Sequence, residues 1–116
     1  MKTIDLLERI INGEEKLSES GLKSYITLRE YRRTIEREKK LFDLSDVWGD
    51  EESIKAIVED FDALGIDHFT LSDNSTALME AMANFQKYGF RIVGITQLKE
   101  KLWGIEEIIN AVEFVR

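Results

Sequence analysis

The chain has 116 residues, a formal net charge of −7, 43% hydrophobic and 34% charged residues, no cysteine and no proline. That length fits one domain with one core, and the hydrophobic fraction excludes a disordered chain. The missing cysteines exclude disulfides, thiolate nucleophiles and thiolate metal sites.

Thr3 to Ile11 is predicted as a short helix, N-capped by Thr3 and stopped by Asn12-Gly13. After a polar connector, a long helix is predicted from Ser20 or Gly21 to about Phe42. Its apolar seam is Leu28, Ile35 and Phe42, with Leu22, Tyr25 and Tyr31 beside it. Nine of the twelve residues from Arg29 to Lys40 are charged. Such a helix lies on the surface or pairs along its seam, so a homodimer through it is one candidate assembly. Asp43 to Gly49 is predicted as a linker.

Asp50 then caps an amphipathic helix carrying Ile54, Ile57, Val58, Phe61 and Leu64 on one face and ending at Gly65. From Ile66 the period shortens to two: Asp67 to Ser72 alternates as a short strand with Phe69 and Leu71 on one face. Ser72-Asp73-Asn74-Ser75-Thr76 either caps the next helix or offers backbone amides to an anion. That helix is predicted to turn Leu78, Met79, Met82 and Phe85 inward and to close at Gly89. Phe90 to Leu98 is β-branched and reads as a strand. Ile105, Ile108, Ile109 and Val112 fit a helical stripe, but Ile108 to Val115 after the Trp103-Gly104 turn favours a hairpin with 90–98. The expected fold is α+β: N-terminal helices followed by β-α-β-β, a small mostly antiparallel sheet with helices on one face, in a single domain over 1–116.

No stretch approaches the eighteen or so apolar residues of a membrane span, and Met1-Lys2-Thr3-Ile4-Asp5 has no signal-peptide core, so a cytoplasmic protein without membrane contact is expected. No catalytic residue, metal site or cofactor is expected. His68 is the only histidine, and an enzyme centred on His68 and Asp73 is the weakest reading. Glu59 and Asp62 share a helix face but read as a solvated surface.

Charge is divided unevenly. Residues 1–42 carry ten Lys/Arg and eight Asp/Glu, whereas residues 43–116 carry six and fifteen. A dense negative segment can occupy the basic groove of a nucleic-acid enzyme. The candidate protein-binding residues are therefore Asp43, Asp46, Trp48, Asp50, Glu51, Glu52, Glu59, Asp60 and Asp62. Trp48 and Trp103 both sit beside glycines, and tryptophan is a favoured interface anchor. The alternative is a small regulatory nucleic-acid-binding module in which Arg29, Arg33 and Arg37, spaced by four, track phosphates along the basic helix 29–40. Glutamates interleave with those bases, and the rest of the chain repels nucleic acid, so direct nucleic-acid binding is not the leading expectation.

Asp60-Phe61-Asp62-x-x-Gly65, Phe69-Thr70-x-Ser72-Asp73-x-Ser75-Thr76-x-Leu78-Met79 and Gly89-Phe90 resemble short uncharacterised proteins carried by phages and mobile elements of Gram-positive bacteria. The resemblance spans residues 60–94. It implies a protein that binds one host protein, the class to which anti-CRISPR inhibitors of RNA-guided nucleases belong. The leading expectation is thus a non-enzymatic protein-binding module, an inhibitor of a host nucleic-acid-handling protein such as a CRISPR effector nuclease.

Overall fold

The computed structural model describes residues 23–72 and 76–116. The expected helix Thr3–Ile11, the start of the long helix at Ser20 to Leu22, and Asp73, Asn74 and Ser75 lie outside the described residues. The elements are α1 (Tyr25–Glu36), β1 (Asp43–Leu44), α2 (Glu51–Leu64), β2 (His68–Leu71), α3 (Leu78–Lys87), β3 (Arg91–Leu102) and β4 (Ile105–Val115). The class is α+β. The sheet runs in the order β1-β2-β4-β3, with β1 parallel to β2 and the other pairs antiparallel. Among the described residues no helix is long and apolar enough to cross a membrane.

Helix α1 is shorter than its charge pattern predicts. Ser24 caps it by accepting from the Ile26 amide, and the helix ends at Arg37. Glu38 takes a left-handed φ of 54°, while the amides of Glu38 and Lys39 fold back onto Ile35 O and Thr34 O. This is a Schellman closure, and it turns the chain away before Phe42. The Leu28–Ile35–Phe42 seam therefore does not exist. Phe42 instead stacks near Tyr31 and meets Phe61 edge-on, and Ile35 is 51% exposed. The face that α1 buries holds Ile26, Thr27, Glu30, Tyr31 and Thr34. Ile35→Ala should accordingly change stability by no more than about 0.5 kcal/mol, read from the denaturant midpoint, because an exposed methyl leaves no cavity.

The segment 43–49 is more than a linker. Asp43 and Leu44 pair in parallel with Thr70 and Leu71, and both are buried. Asp50 and Gly65 bound α2 as predicted: the Asp50 side chain accepts from Ser53 N, and Gly65 adopts a left-handed φ of 70°. Gly49 has no room for a side chain, since a Cβ there would lie 2.6 Å from Ala77 O and 3.0 Å from Ala81 N. The α2 entry thus packs directly on the first turn of α3, and Asn84 Nδ2 ties it by donating to Gly49 O at 2.7 Å. This close approach selects Ala81 and Phe85 as the buried residues of α3. Met79, expected inside, is exposed.

Aromatic rings fill the core between α2, α3 and the sheet. Phe69 sits at its centre, with ring centroids 4.9 Å from Phe61, 4.8 Å from Phe85, 5.0 Å from Phe90 and 4.9 Å from Phe114. Strand β2 stops pairing at Leu71↔Val112, whereas β3 and β4 continue to Leu102↔Ile105. The hairpin therefore extends beyond the four-stranded body as a two-stranded ribbon. Ribbons of two strands are marginal in water. This one is braced by Lys101 N donating to Arg37 O at 2.8 Å and by Lys39 Nζ meeting Glu100 Oε2 at 3.4 Å.

Candidate functional site

Two buried carboxylates organise the surroundings of β1. Glu30 is fully buried and accepts from Ser45 N at 3.2 Å, Ser45 Oγ at 2.9 Å and Asp46 N at 3.1 Å. Arg29 Nη2 and Arg33 Nη1 approach it at 3.2 and 3.5 Å. Asp43 accepts from Thr70 Oγ1 at 2.7 Å, Ser72 Oγ at 2.6 Å and the buried Lys39 Nζ at 2.5 Å. Lys39 spans from Asp43 on β1 to Glu100 on β3, so it bridges the two outer strands across the sheet. Charges and hydroxyls here largely satisfy one another, as buried polar groups generally do, although Arg29 Nε is buried without a hydrogen-bond partner among the described residues.

This arrangement redistributes the acids singled out from sequence. Asp43 is buried and cannot face a partner; it is an internal counterion. Asp60 is also buried, at 1% exposure, and accepts from Lys23 N, Ser24 N and Thr27 Oγ1, tying the start of α1 to α2. Asp46 lies 3.8 Å from Arg33 Nη1, Glu51 takes Lys87 Nζ and Tyr88 OH, and Asp62 takes Arg116 Nη1. The side-chain hydrogen bonds from Lys87 and then Tyr88 hold the Glu51 carboxyl below its usual range, and hydrogen bonding to Ser53 does the same for the exposed Asp50. Asp50, Glu52 and Glu59 remain outward, with Trp48 at 68% exposure.

Burial pushes the Asp60 carboxyl above its ordinary range despite its three donors. A carboxyl that holds its proton more tightly folded than unfolded contributes stability that is full below about pH 4 and is lost as pH rises through the folded value. The stability difference between the wild type and Asp60→Asn should therefore shift against the wild type as pH rises from about 4. Urea titrations across a pH series measure it, and a flat difference refutes it.

The arginine row is divided as well. Arg29 and Arg33 turn toward Glu30 and the Asp46 region, with Arg29 Nη2 donating to Asp46 O, while Arg37 has already left the helix as its C-cap. The three are not brought into one phosphate-tracking line. His68 Nε2 meets Glu113 Oε2 at 2.6 Å at an exposed end of the sheet, beside a cleft of about 480 Å³ shared with Tyr31, Ile35, Phe42 and Ile66. Among the described residues no cluster of three or more His, Asp or Glu side chains can hold a metal ion.

The residue that stands out is Trp103. Leu102 pairs with Ile105, so Trp103-Gly104 is a two-residue loop, and both residues have positive φ, 51° and 77°. That is the backbone of a type I′ turn, whose first position favours Asn, Asp or Gly. Trp103 occupies it at 91% exposure. Ile95, Ile105 and Ile108 are also exposed along the ribbon. The Trp-Gly dipeptide carried this signal in the sequence, since Asn-Gly is what the turn alone asks for.

A family model described as a domain of unknown function, DUF7698, matches residues 26–115. The chain belongs to the DUF7698 family. The match begins inside α1 and ends with β4, so the family unit holds both buried carboxylate networks and the whole ribbon. No curated protein and no solved structure matches the chain.

Proposed function

We propose that this DUF7698 chain is a non-enzymatic protein-binding module that docks through its β3–β4 ribbon, with Trp103 as the anchor. The observation that carries this is the backbone of Trp103. A bulky side chain at positive φ costs on the order of 1–3 kcal/mol, and a tryptophan left in water offsets none of it by burial. Local strain with no folding benefit marks a position kept for function. Exposed Ile105 on one face of the ribbon and Ile108 on the other add apolar surface near the anchor.

Inhibition of a host nucleic-acid-handling protein, such as an RNA-guided nuclease in the cytoplasm, is the narrower form of this proposal. It draws on the resemblance of residues 60–94 to mobile-element proteins. In that setting Asp50, Glu52 and Glu59 would speed encounter with a basic partner rather than anchor the complex.

The test uses Trp103→Asn, which relieves the turn while removing the anchor. The variant should unfold at the same or a higher temperature. Its affinity for a partner captured by the wild-type chain should fall about 30-fold, as for other buried tryptophan anchors. Equal affinity in the two proteins rejects the proposal.

A further inference from the structure

The two edges of the ribbon are built differently. Lys101 N donates to Arg37 O, so it points away from β4. Alternation along an antiparallel ladder then turns the backbone groups of Ile95, Gln97 and Lys99 outward on β3, and those of Glu106, Ile108 and Asn110 outward on β4. The far end of β4 agrees: Arg116, of the same parity, donates its amide to Asp67 O on the β2 side at 2.9 Å. Because β2 stops at Leu71↔Val112, no strand lies beside Glu106, Ile108 and Asn110 among the described residues.

The outer edge of β3 carries the usual protections. A bulge falls between Ile92 and Gly94, Lys99 and Lys101 line the edge, and the Arg37 carbonyl is seated on it. Among the described residues the β4 edge has none of these. From Ile105 to Ala111 it has no bulge, no basic residue and no proline, and it exposes Ile105 and Ile108. An unprotected apolar edge is an aggregation hazard unless something covers it. Its own charge is negative: Glu106, whose Oε1 lies 3.9 Å from the exposed Lys99 Nζ across the ribbon, and Glu107 present one carboxylate to each face. Where β2 leaves β4, a cleft of about 420 Å³ opens beside Ile109 and Asn110, lined also by Arg37, Ser45, Ser72 and Glu100.

We infer that β4 accepts an extended strand from another protein along Glu106–Asn110, and that this strand carries two adjacent basic residues, one for each face, between apolar ones. The inference rests on the protein-binding reading above. The outward amides and carbonyls of Glu106, Ile108 and Asn110 supply main-chain hydrogen bonds, and Glu106 and Glu107 select lysine or arginine opposite them. Ile105 and Ile108 receive apolar side chains on the two faces. A second copy of the chain fits less well. Two-fold antiparallel pairing centred on residue 106 or 107 sets a glutamate against its own copy. Centring on residue 108 gives no carboxylate a basic partner, in chains that each carry −7.

The experiment is amide exchange followed by NMR on the full chain, with two probe peptides of about seven residues, a typical strand length. One sets two adjacent lysines between valines, the other two adjacent glutamates between valines. The lysine peptide should slow exchange at Glu106, Ile108 and Asn110 by tenfold or more, and the glutamate peptide should not. Ile108→Pro removes an outward N–H, which an edge strand tolerates, and should abolish protection of Asn110. Glu106→Lys with Glu107→Lys should transfer the response to the glutamate peptide. Strand addition is overturned if neither peptide protects these amides, if the charge-reversed variant keeps its preference for lysine, or if protection appears on raising protein concentration alone. A partner complex that depends on Trp103 yet leaves the three amides in free exchange also overturns it, while the protein-binding reading stands.

Discussion

Phe69→Ala should lower the free energy of unfolding by about 3–5 kcal/mol, the range for removing a fully buried ring. Phe69 is 0% exposed, and four other rings converge on it from α2, α3, β4 and the α3–β3 connection. No neighbour can fill the space without breaking another ring pair, so the cavity should persist. Against a typical domain stability of about 5–15 kcal/mol, this is a large part of the whole. Urea denaturation at neutral pH measures it, and a loss below about 1 kcal/mol would show that the core collapses around the gap.

Glu30→Ala should cost a comparable amount, about 3–5 kcal/mol, for a different reason. It strips two backbone amides and a hydroxyl of their acceptor and leaves the Arg29 and Arg33 guanidiniums without their buried counterion. Glu30→Gln keeps one oxygen for the Ser45–Asp46 amides and should lose clearly less. Equal losses in the two variants would mean that the charge, not the hydrogen bonding, holds the 44–46 segment to α1.

Glu30 also shows why part of this molecule is illegible in its sequence. Helix α2 is readable because Ile54, Ile57, Val58, Phe61 and Leu64 repeat at helical spacing between Asp50 and Gly65, and local chemistry agrees with the fold. The α+β class and the Trp103-Gly104 hairpin follow from similar local consistency. Helix α1 breaks that rule. Its inward face holds Thr27, Glu30 and Thr34, so hydrophobic periodicity selects Leu28 and Ile35, of which Ile35 is exposed. Polar groups bury there only because partners 9 to 33 residues away satisfy them, and no local pattern records such partners. The same holds for Asp43 and Asp60. Each reads as one more surface acid until Lys39, Thr70, Ser72 and the start of α1 close around it. Trp103 was visible as an aromatic beside glycine, but its significance lies in a backbone angle.

The bridge formed by Lys39 has a consequence for the order of folding events. The β3–β4 hairpin closes through neighbouring residues and a two-residue loop, so it can form within microseconds. The parallel pairing of β1 with β2 joins residues 27 apart, and Lys39 then links β1 to a strand near the other end of the chain. Closing such loops costs entropy before any bond rewards it. Loop-closure entropy therefore predicts a ribbon that forms early and an Asp43–Lys39–Glu100 clamp that closes late, so Lys39→Met should speed unfolding more than it slows folding in a denaturant chevron.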